Sequence, residues 1–224
     1  MVMVTTDSPS EMVPELDLLR SGKWRVRRPQ VSHDDGTDLN PVMCSWRTHT
    51  AVPVGDRLLC WADMSQGLIF SDVFDESPGL RYMPLPPEMR FSYMSVTADG
   101  VVKLVRFSNC CSCGRGCATS CPRSPPHAYT IKTWMLRMDD MVWVMDGMVD
   151  ATELWALDAY EGLPRVPLAH PVVSMDDPHT ICFVLCEEYF RQDGDNTEQI
   201  IMVDLRSKTL LSVYRYPEGQ SYDH

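Results

Sequence analysis

The stretch Leu59-Cys60-Trp61-Ala62-Asp63-Met64-Ser65-Gln66-Gly67-Leu68-Ile69 reads as strand, aspartate, polar turn, strand. Both arms are apolar, and Met64 to Gly67 supply the polar and glycine residues that a tight connection needs. The same plan returns in Ile201-Met202-Val203-Asp204-Leu205-Arg206-Ser207-Lys208-Thr209-Leu210-Leu211. A looser copy is Trp134-Met135-Leu136-Arg137-Met138-Asp139-Asp140-Met141-Val142-Trp143. An antiparallel hairpin recurring about every 70 residues is what radially repeated sheets such as propellers produce.

Outward from these hairpins, short apolar or alternating runs predict strands over Val42–Val52, Arg57–Ala62, Leu68–Val73, Leu80–Met83, Phe91–Thr97, Val101–Phe107, Ala128–Leu136, Met141–Met148, Thr180–Cys186, Gln199–Asp204 and Thr209–Tyr216. Asp99-Gly100 lies between two of them, where a tight hairpin needs a positive φ. The 17 prolines leave few windows for helices. The one short helix expected is Ala151–Leu157, capped by Asp150 with Glu153 three residues on. The fold class expected is all-β: antiparallel hairpin repeats forming a partial, about three-bladed, propeller-like arc. Residues 1–41, with Pro9, Pro14, Pro29, Pro41 and the run HDDGTD at 33–38, predict a loop or disordered tail. The domain then runs over 42–218, with a short tail at 219–224.

The chain has 224 residues, 44% hydrophobic and 23% charged, the balance of a soluble globular protein. Its 20 Lys plus Arg against 31 Asp plus Glu give a net charge of −11, which argues against whole-molecule attraction to nucleic acid or anionic lipid. The basic island from Lys23 to Arg28 is a weak nuclear-import element or, more simply, a solvated strand end. No apolar run approaches the roughly 20 residues of a membrane span. The N-terminus has no basic segment ahead of an apolar one, so an intracellular protein is expected, nuclear or cytosolic. An odd count of 9 cysteines then favours reduced thiols or a metal site over a disulfide framework.

The run Val54-Gly55-Asp56-Arg57-Leu58-Leu59-Cys60-Trp61-Ala62-Asp63 through Gly67-Leu68-Ile69 resembles the opening motif of the plant domain-of-unknown-function family numbered 1618, expanded in grasses. Further matches are Asp72-Val73, Leu80-Arg81-Tyr82-Met83-Pro84-Leu85-Pro86, Trp134 with Leu136, His170 through Pro178, and Val203-Asp204-Leu205 through Tyr214-Arg215-Tyr216. The resemblance covers Thr48 to Tyr216. It implies that Trp61, Asp63, Gly67, Asp72, Pro84, Pro86, Trp134, Pro171, Ser174 and Asp204 are structural motif positions. It brings no catalytic residues. It also implies kinship with the propeller-like domains associated with F-box proteins, and so an adaptor-like role, although the N-terminus shows no F-box-like helical segment. Family members carry a longer stretch ahead of the Trp-Asp motif. About three blades leave a propeller open, so the chain is expected to be an open arc, a truncated product, or a protein that self-associates through open sheet edges.

The densest chemical feature is Cys110-Cys111-Ser112-Cys113-Gly114-Arg115-Gly116-Cys117-Ala118-Thr119-Ser120-Cys121, with His127 nearby. Four of these ligands, Cys110, Cys111, Cys113, Cys117, Cys121 or His127, can wrap a tetrahedral zinc. A loop with reduced thiols is the simpler account, since the spacing is not that of paired knuckles. Such a zinc would be structural, because catalysis needs an open coordination position.

Phosphate-loop, nucleophile-elbow and zinc-helix motifs are absent from the sequence. The pairs Asp139-Asp140, Asp176-Asp177 and Glu187-Glu188 fall at turns or strand ends, and His49, His170 and His179 read as structural histidines. Asp193-Gly194-Asp195-Asn196 lacks the glutamate of a calcium loop. Trp61 and Trp134 are expected in the core, and Trp155 at the surface. Together these readings describe a non-enzymatic module without a cofactor that binds an unnamed protein partner, with zinc or thiol chemistry at residues 110–121 as the alternative.

Overall fold

In the computed structural model most runs of β-branched, aromatic and leucine residues between turns pair with a neighbour in sequence. The model describes residues 2–6, 13–20, 22–33, 38–108, 128–185 and 199–215. The chain divides into two units, Met1–Phe91 and Ser92–His224.

In the first unit, β1 (Val2–Thr6), β2 (Val13–Arg20) and β3 (Lys23–Arg27) form an antiparallel sheet in that order. There follow β4 (Val31–Ser32), α1 (Asn40–Cys44), β5 (Thr50–Val54), β6 (Leu58–Asp63), β7 (Gly67–Asp72) and β8 (Leu80–Pro84). Strands β5 to β8 make an up-and-down meander, and β4 adds to β8 in parallel.

At these strands the structure corrects the reading of residues 1–41 as a loop or disordered tail. Alternation in Glu15-Leu16-Asp17-Leu18 buries Leu16 and Leu18 (0% and 6% exposed) while leaving the carboxylates outward, which is the pattern of a half-buried strand. Leu16, Leu18, Leu39, Met43 and Trp46 close one core with Trp61, Ile69, Leu80 and Tyr82. Of the prolines that suggested a loop, Pro14 stands near the start of β2 and Pro41 in the first turn of α1. The strand expected over Val42–Val52 is a second correction: Pro41 stands in the first turn of α1, where its missing N–H costs no hydrogen bond, and the strand begins only at Thr50.

In the second unit, β9 (Tyr93–Val96), β10 (Val102–Ser108), β11 (Thr130–Arg137) and β12 (Val142–Asp150) form one four-stranded meander. After α2 (Ala151–Trp155), β13 (Leu168–Val173), β14 (Thr180–Leu185), β15 (Gln199–Asp204) and β16 (Thr209–Arg215) form another. Val105, Ile131 and Val149 of the first sheet share a core with Val173, Ile181, Phe183, Ile201 and Val203 of the second. Each such aliphatic side chain contributes on the order of 1.5–3 kcal/mol by leaving water.

The expected helix is present, and Asp150 and Glu153 cap it reciprocally: Asp150 Oδ1 accepts from the Thr152 N–H at 2.9 Å, and Glu153 Oε2 from the Asp150 N–H at 2.9 Å. Trp155 is not at the surface as expected. It is 7% exposed, because α2 folds back onto the core and sets the indole edge-on to Tyr129. Three successive four-stranded meanders, β5–β8, β9–β12 and β13–β16, bear out the expected all-β hairpin repeats, each with the strand order of a propeller blade.

Candidate functional site

Val101-Val102-Lys103-Leu104-Val105 places a lysine inside an apolar run, and β10 buries both of its faces there. Lys103 is wholly enclosed and donates to Asp146 Oδ2 at 2.6 Å. Asp146 reaches it because β12 carries a bulge. Thr133 pairs with Gly147 and Trp134 with Met145, so Asp146 is the extra residue on its strand and is re-aimed. Thr133 Oγ1 donates to Asp146 Oδ1 at 2.8 Å, and a Cβ at Gly147 would stand 2.6 Å from that hydroxyl. His179 Nδ1 lies 3.8 Å from Asp146 Oδ2. The His179 N–H donates to Asp177 Oδ1 at 3.0 Å, and its carbonyl accepts from the Leu205 N–H at 3.0 Å. Four polar side chains thus meet where the two sheets of the second unit pack. Sequence reading took His179 as structural and missed the other three. The available signals were a lysine in an apolar strand and a glycine beside an aspartate in another.

The second polar centre is the Trp-Asp hairpin of the first unit. Asp63 is fully buried; Oδ2 accepts from the Arg47 N–H at 2.7 Å, and Oδ1 accepts from the Ser65 N–H at 2.9 Å and the Ser65 hydroxyl at 2.6 Å. Burial opposes its charge, but the hydrogen bonds from Ser65 and the Arg47 N–H outweigh that, and its pKa falls below the usual carboxylate value. His49 Nδ1 accepts from the Met64 N–H at 3.3 Å. Gly67 is required by Tyr82: a Cβ there would stand 2.5 Å from the phenol ring and 2.5 Å from the Met83 carbonyl oxygen. The Tyr82 hydroxyl in turn donates to the Gln66 carbonyl at 3.1 Å.

The other motif residues are spread over the fold. Asp72 Oδ2 pairs with Arg57 at 2.7 Å, and its Oδ1 holds the Phe74 N–H at 2.8 Å. Pro84 ends β8 opposite Gly67, and the Pro86 carbonyl accepts from the Met89 N–H at 2.7 Å. Trp134 is half-buried rather than fully in the core, at the bulge of β11 and β12. Pro171 follows His170, whose φ of 48° lies at the irregularity of β13, and Ser174 caps the next turn through Asp176. Asp204 Oδ1 accepts from the Arg206 N–H at 2.8 Å, as Asp63 does from Ser65. The two hairpins that look alike in sequence therefore share one aspartate-centred turn.

Asp139, Asp140 and Asp176 are exposed, and Asp177 is spent on the His179 turn. Cys110, Cys111, Cys113, Cys117, Cys121, His127, Glu187, Glu188 and residues 193–196 lie outside the described residues. Among the described residues no three His, Cys, Asp or Glu side chains group to hold a metal. Burial pushes the Cys60 thiol up to about 12 and raises that of Cys182, so neither supplies a thiolate near neutral pH. The polar centres of the fold fix turns and strand register. Lys103, with no exposed surface, cannot reach a dissolved substrate without local opening.

No curated protein matches the chain. Among solved structures it is similar to the β-propeller domain of the trilobed protease from Pyrococcus furiosus, described as having an open velcro topology, at 6% identity and a TM-score of 0.31. The similarity covers 77% of this chain, which spans 44% of that one. A family model, "Protein of unknown function (DUF1618)", matches residues 61–182, from the Trp61 of the aspartate turn to Cys182 on β14. More than half of the sequence, including the hairpin that decides the fold from its Trp61 onward, thus follows one family pattern, and the chain belongs to the DUF1618 family.

Proposed function

We propose that the chain is a non-enzymatic module that binds a protein partner through the outer strands of its sheets. One observation carries this reading: the polar centres are consumed in holding turns and register, while large apolar side chains stand exposed on outer strands. On β12 these are Val142, Met145 and Met148 (43%, 49% and 47% exposed), and on β16 Leu211 and Tyr214 (52% and 57%). Exposed apolar side chains along an unpaired strand favour contact with another chain. The second chain is a distinct protein or a second copy. An adaptor-like role of the kind attributed to F-box-associated propellers, in a plant cell, is the fuller form of the proposal. Among the described residues no helix is long and apolar enough to cross a membrane.

The test places a photo-crosslinking residue at Met145, at Leu211 and, for comparison, at the turn residue Asp139. A recurrent adduct at the strand positions and none at the turn is expected. Equal adducts at all three, or none beside a reproducible turnover by the purified chain, would overturn the reading. Zinc on Cys110, Cys111, Cys113, Cys117, Cys121 and His127 remains the rival chemistry, since five thiols in twelve residues are dense for a loop. A native mass spectrum showing one zinc per reduced chain, lost on Cys113→Ser, would add a structural metal to the module.

A further inference from the structure

β3 is the outer strand of its sheet, and every one of its residues, Lys23-Trp24-Arg25-Val26-Arg27, is exposed. Its inner edge is taken by β2, with Leu16 opposite Arg27, Leu18 opposite Arg25, Leu19 opposite Trp24 and Arg20 opposite Lys23. Residues directly opposite share a face, so Lys23, Arg25 and Arg27 stand on the side of buried Leu16 and Leu18, at its rim. Trp24 and Val26 (62% and 57% exposed) stand with Leu19 (52%) on the other side. The one basic residue of the segment with a carboxylate partner among the described residues is Arg28, whose Nη2 lies 2.6 Å from Glu15. Among the described residues Lys23, Arg25 and Arg27 have none. In a chain of net charge −11, this edge offers three cations on one face, the apolar Trp24 and Val26 on the other with Asp17 behind Val26, and, among the described residues, an unpaired ladder of N–H and C=O groups between them.

We propose that the outer edge of β3 takes an extended acidic peptide as an added strand. Its alternate residues are carboxylates opposite Lys23, Arg25 and Arg27 and apolar side chains opposite Trp24 and Val26. Strand addition uses all three features at once, whereas a single-stranded nucleic acid or an anionic membrane would use the cations and Trp24 and leave the ladder idle. The proposal rests on the reading of the chain as a protein-binding module and assigns it a surface and a ligand class.

The probe is a capped seven-residue peptide of alternating Glu and Val, titrated against the full chain by fluorescence anisotropy. Comparison ligands are the same peptide N-methylated at alternate residues, a Lys/Val peptide, a single-stranded oligonucleotide and phosphatidylserine vesicles. Binding of the Glu/Val peptide alone is expected, weakened about tenfold by R25E with R27E, two exposed substitutions that spare the core. Unchanged binding of the N-methylated peptide, tighter binding of the oligonucleotide or vesicles, or no peptide binding would each overturn the inference. Crosslinked adducts at Met145 and Leu211 beside a failed peptide titration would remove this surface and leave the module reading standing.

Discussion

Lys103 Nζ and Asp146 Oδ2 meet at 2.6 Å with the lysine side chain wholly enclosed and that of the aspartate 9% exposed. Such a pair is costly to break from one side, because the remaining charge is left without compensation. Lys103→Met is expected to destabilise the second unit by about 3–5 kcal/mol, and Lys103→Met with Asp146→Leu by much less. Urea unfolding of both variants, followed by near-ultraviolet circular dichroism, checks this. Equal losses in both would show that the pair acts only through packing.

Gly67→Ala forces a Cβ against the Met83 carbonyl oxygen and the Tyr82 ring, each 2.5 Å away. A loss of about 1–3 kcal/mol is expected in urea melts. Gly79, with no atom within 4 Å of a Cβ, serves as the control, and Gly79→Ala should be nearly neutral. Tyr82→Leu in the Gly67→Ala background should recover only part of the loss, since the backbone oxygen remains.

Asp63, Asp177 and Asp204 all have lowered pKa values in the folded chain. In Asp63 burial is outweighed by the bonds from Ser65 and Arg47, in Asp177 the His179 N–H and Thr180 hydroxyl dominate, and in Asp204 the Ser207 hydroxyl does. A depressed folded pKa stabilises above the unfolded value, about 3.9 for aspartate, and that stability is lost as pH falls through the folded value. Stability should therefore hold from neutral pH to about 5 and fall below about 4. Asp63→Asn should flatten part of the slope between pH 4 and 2 in urea melts. An unchanged slope would assign the acid lability elsewhere.

Thiol mapping gives a fourth check. Cys44 is exposed on α1, while Cys60 is buried with its thiol pushed up to about 12. Mass spectrometry after brief iodoacetamide treatment at pH 8 should find Cys44 alkylated and Cys60 intact until urea unfolds the first unit. Early alkylation of Cys60 would show that β6 opens readily.

The hairpins were legible because their information is local. Asp63-Met64-Ser65-Gln66-Gly67 carries both the aspartate that binds the turn and the glycine that admits Tyr82, within five residues. The tail was misread because Leu16 and Leu18 are apolar for the sake of Trp61 and Ile69, partners some fifty residues away that no local pattern reports. Trp155 was misplaced for the same reason, its burial being decided by Tyr129 and the core of the second unit. The Lys103 cluster left only two weak signals in the sequence because its meaning lies in a bulge: the pairing of Thr133 with Gly147 and Trp134 with Met145 shows that Asp146 is turned toward the lysine.

The meanders have a consequence for the order of synthesis. Within β5–β8, β9–β12 and β13–β16 every strand pairs with one adjacent in sequence, so each sheet is built from contacts between chain neighbours. A ribosome releasing the chain from its N-terminus lets each sheet close before the next is made. β4 is the exception, since Val31 must wait for Leu80 to emerge before its parallel pairing can form. Pausing the ribosome between Ser32 and Leu80 would therefore hold Val31 and Ser32 without their strand partner while β5 to β7 are already free to pair.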